Sequence, residues 1–184
     1  MAKIRITKEF QFEMAHALWN YDGKCKNIHG HTYIMYVTVS GEPIDDPQNP
    51  KNGMVMDFGD LKKIVKENII DTHDHFLAIN KNSPHNEIKF EDYNIDQIQR
   101  KNYQPTCENM VVEFAEIIKS KLPENIYLES VKLYETQTSS AEWFAIENEE
   151  MNLFRRKYKK LKIPISTNQQ SNNSTLEQPG NLTI

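Results

Sequence analysis

Six histidines are present, and five of them gather in three short stretches. His29-Gly30-His31 runs directly into Tyr33 to Val39, an alternating stretch rich in aromatic and β-branched residues. Residues i and i+2 of an extended chain point to the same side. Two imidazoles held that way are half of a metal site, and zinc suits them. Gly30 between them is expected to let the backbone approach closely. His16, at the end of Glu13-Met14-Ala15-His16, is a candidate third ligand. Three histidines leave a fourth tetrahedral position open, which is the pattern of catalytic rather than structural zinc. The plain alternative is a pair of strand histidines facing water.

Cys25 stands four residues before His29. It could be a fourth ligand that closes the site, or a reactive thiolate favoured by the neighbouring cations Lys24 and Lys26. Its hydrophilic surroundings, Asp-Gly-Lys-Cys-Lys-Asn, argue against simple burial. Cys107 reads as a small buried hydrophobe in the first turn of a helix. In His73-Asp74-His75 an acid beside an imidazole suggests a pair tuned for proton transfer. Against that, histidines also favour the negative end of a helix dipole. Glu108 falls in a helix first turn, where any acid is welcome. Glu135 ends a strand, where a carboxylate could grip the guanidine-like edge of a heterocycle through two hydrogen bonds.

The elements that must position these residues follow from periodicity. Ile4, Ile6, Phe10 and Phe12 lie in one strand-like run, and Tyr33 to Val39 form another. Residues 41–53 hold three prolines and read as a loop. Asp57 caps a helix carrying Phe58, Leu61, Ile64, Val65 and Ile69. Residues 83–104 show no clean period and read as an irregular insertion. Thr106 caps a second helix with Met110, Val111, Phe114, Ile117 and Ile118 on its inner face. Val131 to Glu135 and Ala141 to Ile146 are closing strands. The order β, β, α, α, β, β predicts an α+β antiparallel sheet with both helices on one face.

Composition narrows the function. The net charge of −4 argues against a generally basic nucleic-acid binder. No apolar run approaches membrane-spanning length, and the N-terminus lacks the apolar core of a signal peptide. Two cysteines are too few for a disulfide framework, so a reducing cytoplasm is the expected location. Charge is uneven: residues 1–150 balance to −9, while residues 151–165 carry six basic side chains and no acid. That basic arm has an apolar stripe of Phe154, Tyr158 and Leu161 and reads as a solvated helix or an arm docked on a neighbouring subunit. The polar tail at 166–184 is expected to be disordered.

Together the motifs resemble the 6-pyruvoyltetrahydropterin synthase/6-carboxytetrahydropterin synthase family. The matching stretches are Phe12 to His16, Cys25 to His31, Gly53 to Phe58, Asp74-His75, Pro105 to Asn109 and Glu135-Thr136, in the family's order, across residues 4–147. The resemblance implies a tunnelling fold, in which a four-stranded antiparallel sheet carries two helices. It also implies subunits closing into an oligomeric barrel, a hexamer or tetramer with interface active sites. It assigns zinc to His16, His29 and His31, the general base to Cys25, and a proton relay to Asp74 and His75. Glu135 would anchor a pterin ring, with Thr106 and Glu108 lining that pocket. The implied substrate is 7,8-dihydroneopterin triphosphate, with Lys24 and Lys26 as candidates for its phosphates from their position alone. Three residues between Cys25 and His29 resemble the carboxy-synthase form. That form yields 6-carboxy-5,6,7,8-tetrahydropterin, acetaldehyde and triphosphate on the way to queuosine and other deazapurines. The pyruvoyl synthase of tetrahydrobiopterin synthesis typically has a longer gap. The chain departs from the compact family pattern in its insertion, in its extension beyond residue 148, and in Thr72-His73 before Asp74-His75.

Other classes remain open at this point. A zinc hydrolase would need neither Cys25 nor Glu135. A non-catalytic zinc-stabilised binding module would use Cys25 as its fourth ligand. A binding protein could act through the basic arm.

Overall fold

The computed structural model describes residues 2–149, so the expected basic arm at 151–165 and polar tail at 166–184 fall outside the described residues. Strand β1 (Ile4–His16) pairs antiparallel with β2 (His29–Gly41) along its whole length, from Ile4 opposite Gly41 to His16 opposite His29. Alternation sends Phe10, Phe12 and Met14 of β1 and Tyr33, Met35 and Val37 of β2 to one face, where all are buried. Each such side chain contributes roughly 1.5–3 kcal/mol on leaving water. β5 (Tyr127–Thr136) continues the sheet beside β2, and β6 (Ser139–Phe144) beside β5, both antiparallel.

Two helices cover the apolar face. Helix α1 (Phe58–Val65) starts where the Asp57 side chain accepts from the Gly59 amide at 2.6 Å. It runs on through a π-type turn, Lys66–Ile70, and a last turn, Asp71–His73. Helix α2 (Cys107–Lys121) starts where Thr106 Oγ1 accepts from the Asn109 amide at 3.3 Å. Leu61, Val65 and Ile69 join Met110, Val111, Phe114 and Ile118 in one core with the sheet. The expected helices, their caps and the four antiparallel strands are thus present.

The sheet is larger than the four strands expected. β3 (Phe76–Asn80) and β4 (Ile98–Lys101) extend it to six, in the order β4-β3-β1-β2-β5-β6. Both added pairings, β1 with β3 and β3 with β4, are parallel. Strands of five and four residues are too short to display a period, and their partners are remote in sequence. The insertion therefore has order: two short 3-10 turns, with Phe90 packed on Leu77 and Ile79, lead into β4. Among the described residues no helix is long and apolar enough to cross a membrane.

The insertion is fastened by a buried polar cluster. Lys101 Nζ lies 2.9 Å from His73 Nε2 and 2.8 Å from Glu113 Oε2, and the Tyr103 hydroxyl also donates to Glu113. Burial first, and the Lys101 ammonium second, push the His73 imidazole down to about 4. Because that lies below the ordinary 6.5, the unfolded chain takes up this proton first as pH falls. Stability from this group is complete above about pH 6.5 and is lost progressively toward pH 4, by roughly 3 kcal/mol. Thermal unfolding scans from pH 7 to pH 4 should show Tm falling by several degrees. His73→Leu should flatten that part of the profile, and an unchanged slope would contradict the assignment.

Candidate metal centre and active site

The β1–β2 register assembles the histidine cluster. His16 and His29 are directly opposite, and His31 follows His29 by two residues on the same face. The three rings lie with centroids 4.6 to 5.2 Å apart, and one ring nitrogen from each falls within 4.8 Å of the others. His16 Nδ1 donates to the Pro105 carbonyl at 2.7 Å, and His29 Nδ1 to the Asn27 carbonyl at 2.8 Å. With Nδ1 of each ring engaged as a donor, Nε2 is the remaining ligand atom, and these two nitrogens face each other at 3.2 Å. His31 Nε2 is buried with no hydrogen-bond partner among the described residues. Burial lowers His16 and His31 below the ordinary imidazole range, which keeps both rings neutral. Ring nitrogens crowded together, with backbone carbonyls fixing the tautomer of two rings, are a donor set for a cation. No other group of three or more potential ligands meets these distances among the described residues.

Glu135, at the end of β5, brings Oε1 to 3.6 Å from His16 Nε2. Tyr33, two residues after His31, borders the cluster: its hydroxyl lies 3.5 Å from His16 Nδ1, and burial followed by the Glu135 carboxylate raises its phenol above the usual range. Tyr33 is a site residue that the sequence analysis treated only as strand. The parity of His29, His31 and Tyr33 could have identified it. The expected role of Gly30 is not required by space. A Cβ there would meet the Met14 carbonyl oxygen at 3.4 Å, an ordinary contact.

Cys25 is half-buried in a 3-10 turn, Lys24–Lys26, and its sulfur is not part of the three-histidine group. Asp74 and His75 pair with each other at 3.1 Å. Both are tied to the β1 backbone: the Glu13 amide donates to the Asp74 side-chain Oδ1 at 2.9 Å, and the His75 amide to the Glu13 carbonyl at 2.6 Å. His75 has φ +64°, a left-handed conformation that costs a non-glycine residue energy and concentrates at functional sites. His75 lines a cleft of about 560 Å³ whose wall also holds Glu13, Thr32, His31 and Ile95. No hydrogen bond among the described residues links Asp74 or His75 to the Cys25 thiol. Thr106 uses its hydroxyl as the α2 cap, and Glu108 beside it is exposed. Cys107 is buried as expected, and its thiol donates to the Leu133 carbonyl at 3.2 Å. Burial pushes that thiol up to about 11.

Comparison with known proteins identifies the family. The family model for 6-pyruvoyl tetrahydropterin synthase matches residues 5–145. A Haemophilus influenzae protein named 6-carboxy-5,6,7,8-tetrahydropterin synthase is 37% identical over 142 residues, covering 76% of this chain and 97% of its own. A protein of the same name from Aquifex aeolicus is 32% identical over 164 residues, covering 77% of this chain and 98% of its own. The solved Caenorhabditis elegans 6-pyruvoyl tetrahydropterin synthase superimposes with a TM-score of 0.56 at 26% identity, over 79% of this chain and 97% of that one. The solved Plasmodium falciparum synthase shares the fold at 17% identity, with a TM-score of 0.59 over 78% of this chain and 98% of that one. The expected tunnelling fold is the one these structures share, and the chain belongs to the 6-pyruvoyl tetrahydropterin synthase family.

Proposed function

We propose that the protein is a zinc-dependent 6-carboxy-5,6,7,8-tetrahydropterin synthase acting on 7,8-dihydroneopterin triphosphate. The observation that carries this reading is the pair of His16 and His29 Nε2 nitrogens at 3.2 Å, beside the unpartnered His31 Nε2. That donor set fits a zinc ion, with a position left for substrate. Bound there, zinc would supply Lewis acidity toward the side-chain hydroxyls of the substrate. The names of the Haemophilus and Aquifex relatives, and the three residues between Cys25 and His29, favour the carboxy product over the pyruvoyl one.

The remaining steps belong to this chain's own side chains. Cys25 removes a proton from the substrate side chain, and Asp74 with His75 carries protons to and from it. Glu135 anchors the pterin through paired hydrogen bonds, with Thr106 and Glu108 at the rim of that pocket. As the family resemblance implies interface active sites, a second copy is taken to complete the relay in a homo-oligomer. Cys25 standing outside the histidine group supports an enzyme over a metal-stabilised module, in which the thiol would be a ligand.

Three measurements follow. Purified protein should hold one zinc per chain by elemental analysis, and His31→Ala should lose it. Retention of full zinc by His31→Ala would contradict the ligand set. Cys25→Ala should keep its zinc and lose turnover by about 10²-fold or more, whereas loss of metal would favour the structural-zinc reading. Mixing inactive Cys25→Ala chains with inactive His75→Ala chains, after dissociation and reassembly, should recover activity. No recovery would place the relay within one chain.

A further inference from the structure

The last residues of the insertion, and Pro105 just past its end, make hydrogen bonds to the candidate site or to residues next to it. The Pro105 carbonyl holds His16. Gln104 Nε2 donates to the Trp19 carbonyl at 2.7 Å, next to Leu18, whose amide donates to the Cys25 carbonyl at 3.1 Å. Gln99 Nε2 donates to the Thr72 carbonyl at 2.7 Å. Lys101 holds His73, and Asp74 and His75 come next in the chain.

Lys101 is 6% exposed and His73 2%. A buried ammonium is tolerated only where its donors are answered. Here the acceptors come from two elements: Glu113 from α2, and His73 from the last turn of the α1 segment. His73 gives its Nδ1 proton to the Ile69 carbonyl at 2.8 Å, so its Nε2 is the acceptor that Lys101 requires. Removing the ammonium would leave the buried His73 Nε2 without a donor and Glu113 with the Tyr103 hydroxyl alone, and free the end of that turn.

The turn that follows has reason to be held. His75 sits at φ +64°, and such a conformation persists only where its surroundings over-determine it. The Glu13 backbone constrains Asp74 and His75 on one side. On the other, β4 grips Thr72 and His73. We propose that Lys101, with Gln99, is a positioning residue that holds the Asp74–His75 turn in the conformation presenting His75 to the cleft. This rests on the reading of Asp74 and His75 as the proton relay.

The test uses Lys101→Met in the full-length protein, with Gln99→Met as the milder variant should Lys101→Met fail to fold. Hydrogen exchange read by mass spectrometry needs no turnover. The amides of Glu13 and His75 should exchange at least tenfold faster in the variant, while those across β2 and β5 keep their wild-type rates. Uniform acceleration over the whole chain, or no change at Glu13 and His75, would overturn the proposal. With 7,8-dihydroneopterin triphosphate as substrate, kcat should fall at least tenfold with KM within twofold. The same change placed in His75→Ala should cost nothing further. Additive losses would overturn the proposal by showing that Lys101 acts independently of His75. If the wild type leaves this substrate untouched, the functional reading fails, and the exchange result still decides the positioning role.

Discussion

Everything chemical in this fold depends on one pairing, His16 opposite His29. The antiparallel register of β1 and β2 places those two imidazoles side by side, and the two-residue strand period brings His31 to the same face. A slip of one residue would send one strand's ligands to the opposite face and expose its apolar side chains with them. The same alternation buries Phe10, Phe12, Met14, Tyr33 and Met35, so the forces that fix the core also fix the histidine cluster. Retaining the ligands therefore carries no separate folding cost in register. The cost that remains is local: three imidazoles are crowded in a partly dry place.

The two sets of functional groups are positioned by different means. The histidine cluster rides on long central strands whose geometry the sheet sets. The Asp74–His75 pair sits at the end of a helical segment, in a conformation its own residue types disfavour. Hydrogen bonds from the Glu13 backbone and the buried Lys101–His73 contact restrain it. The insertion thus has a structural part beside the candidate site: Gln104 bonds to Trp19, and Gln99 and Lys101 bond to Thr72 and His73, while Pro105, just past its end, holds His16. A rigid frame with one restrained turn is what the proposed proton relay would require.

Much of this was legible from residue order because the signals were local. Asp57 and Thr106 announced their helices as caps, and both accept the expected amide hydrogen bonds. The alternation in β1 and β2 and the His-x-His spacing were equally direct. What escaped was non-local. β3 and β4 are short parallel strands that exist only through their partners, so residues 83–104 read as irregular. Nothing in the sequence couples Lys101 to Glu113 and His73, which come together only after the insertion folds back. Tyr33 was missed although its parity with His29 and His31 placed it on the site face. Gly30 was given a close approach that the backbone does not need.

The most direct test is the identity of the products. The zinc-loaded protein would be incubated with 7,8-dihydroneopterin triphosphate, with acetaldehyde and the pterin product followed together by mass spectrometry. Acetaldehyde appearing in step with 6-carboxy-5,6,7,8-tetrahydropterin is the expected result. Triphosphate release with a pyruvoyl product and no acetaldehyde would contradict it, as would the absence of any turnover.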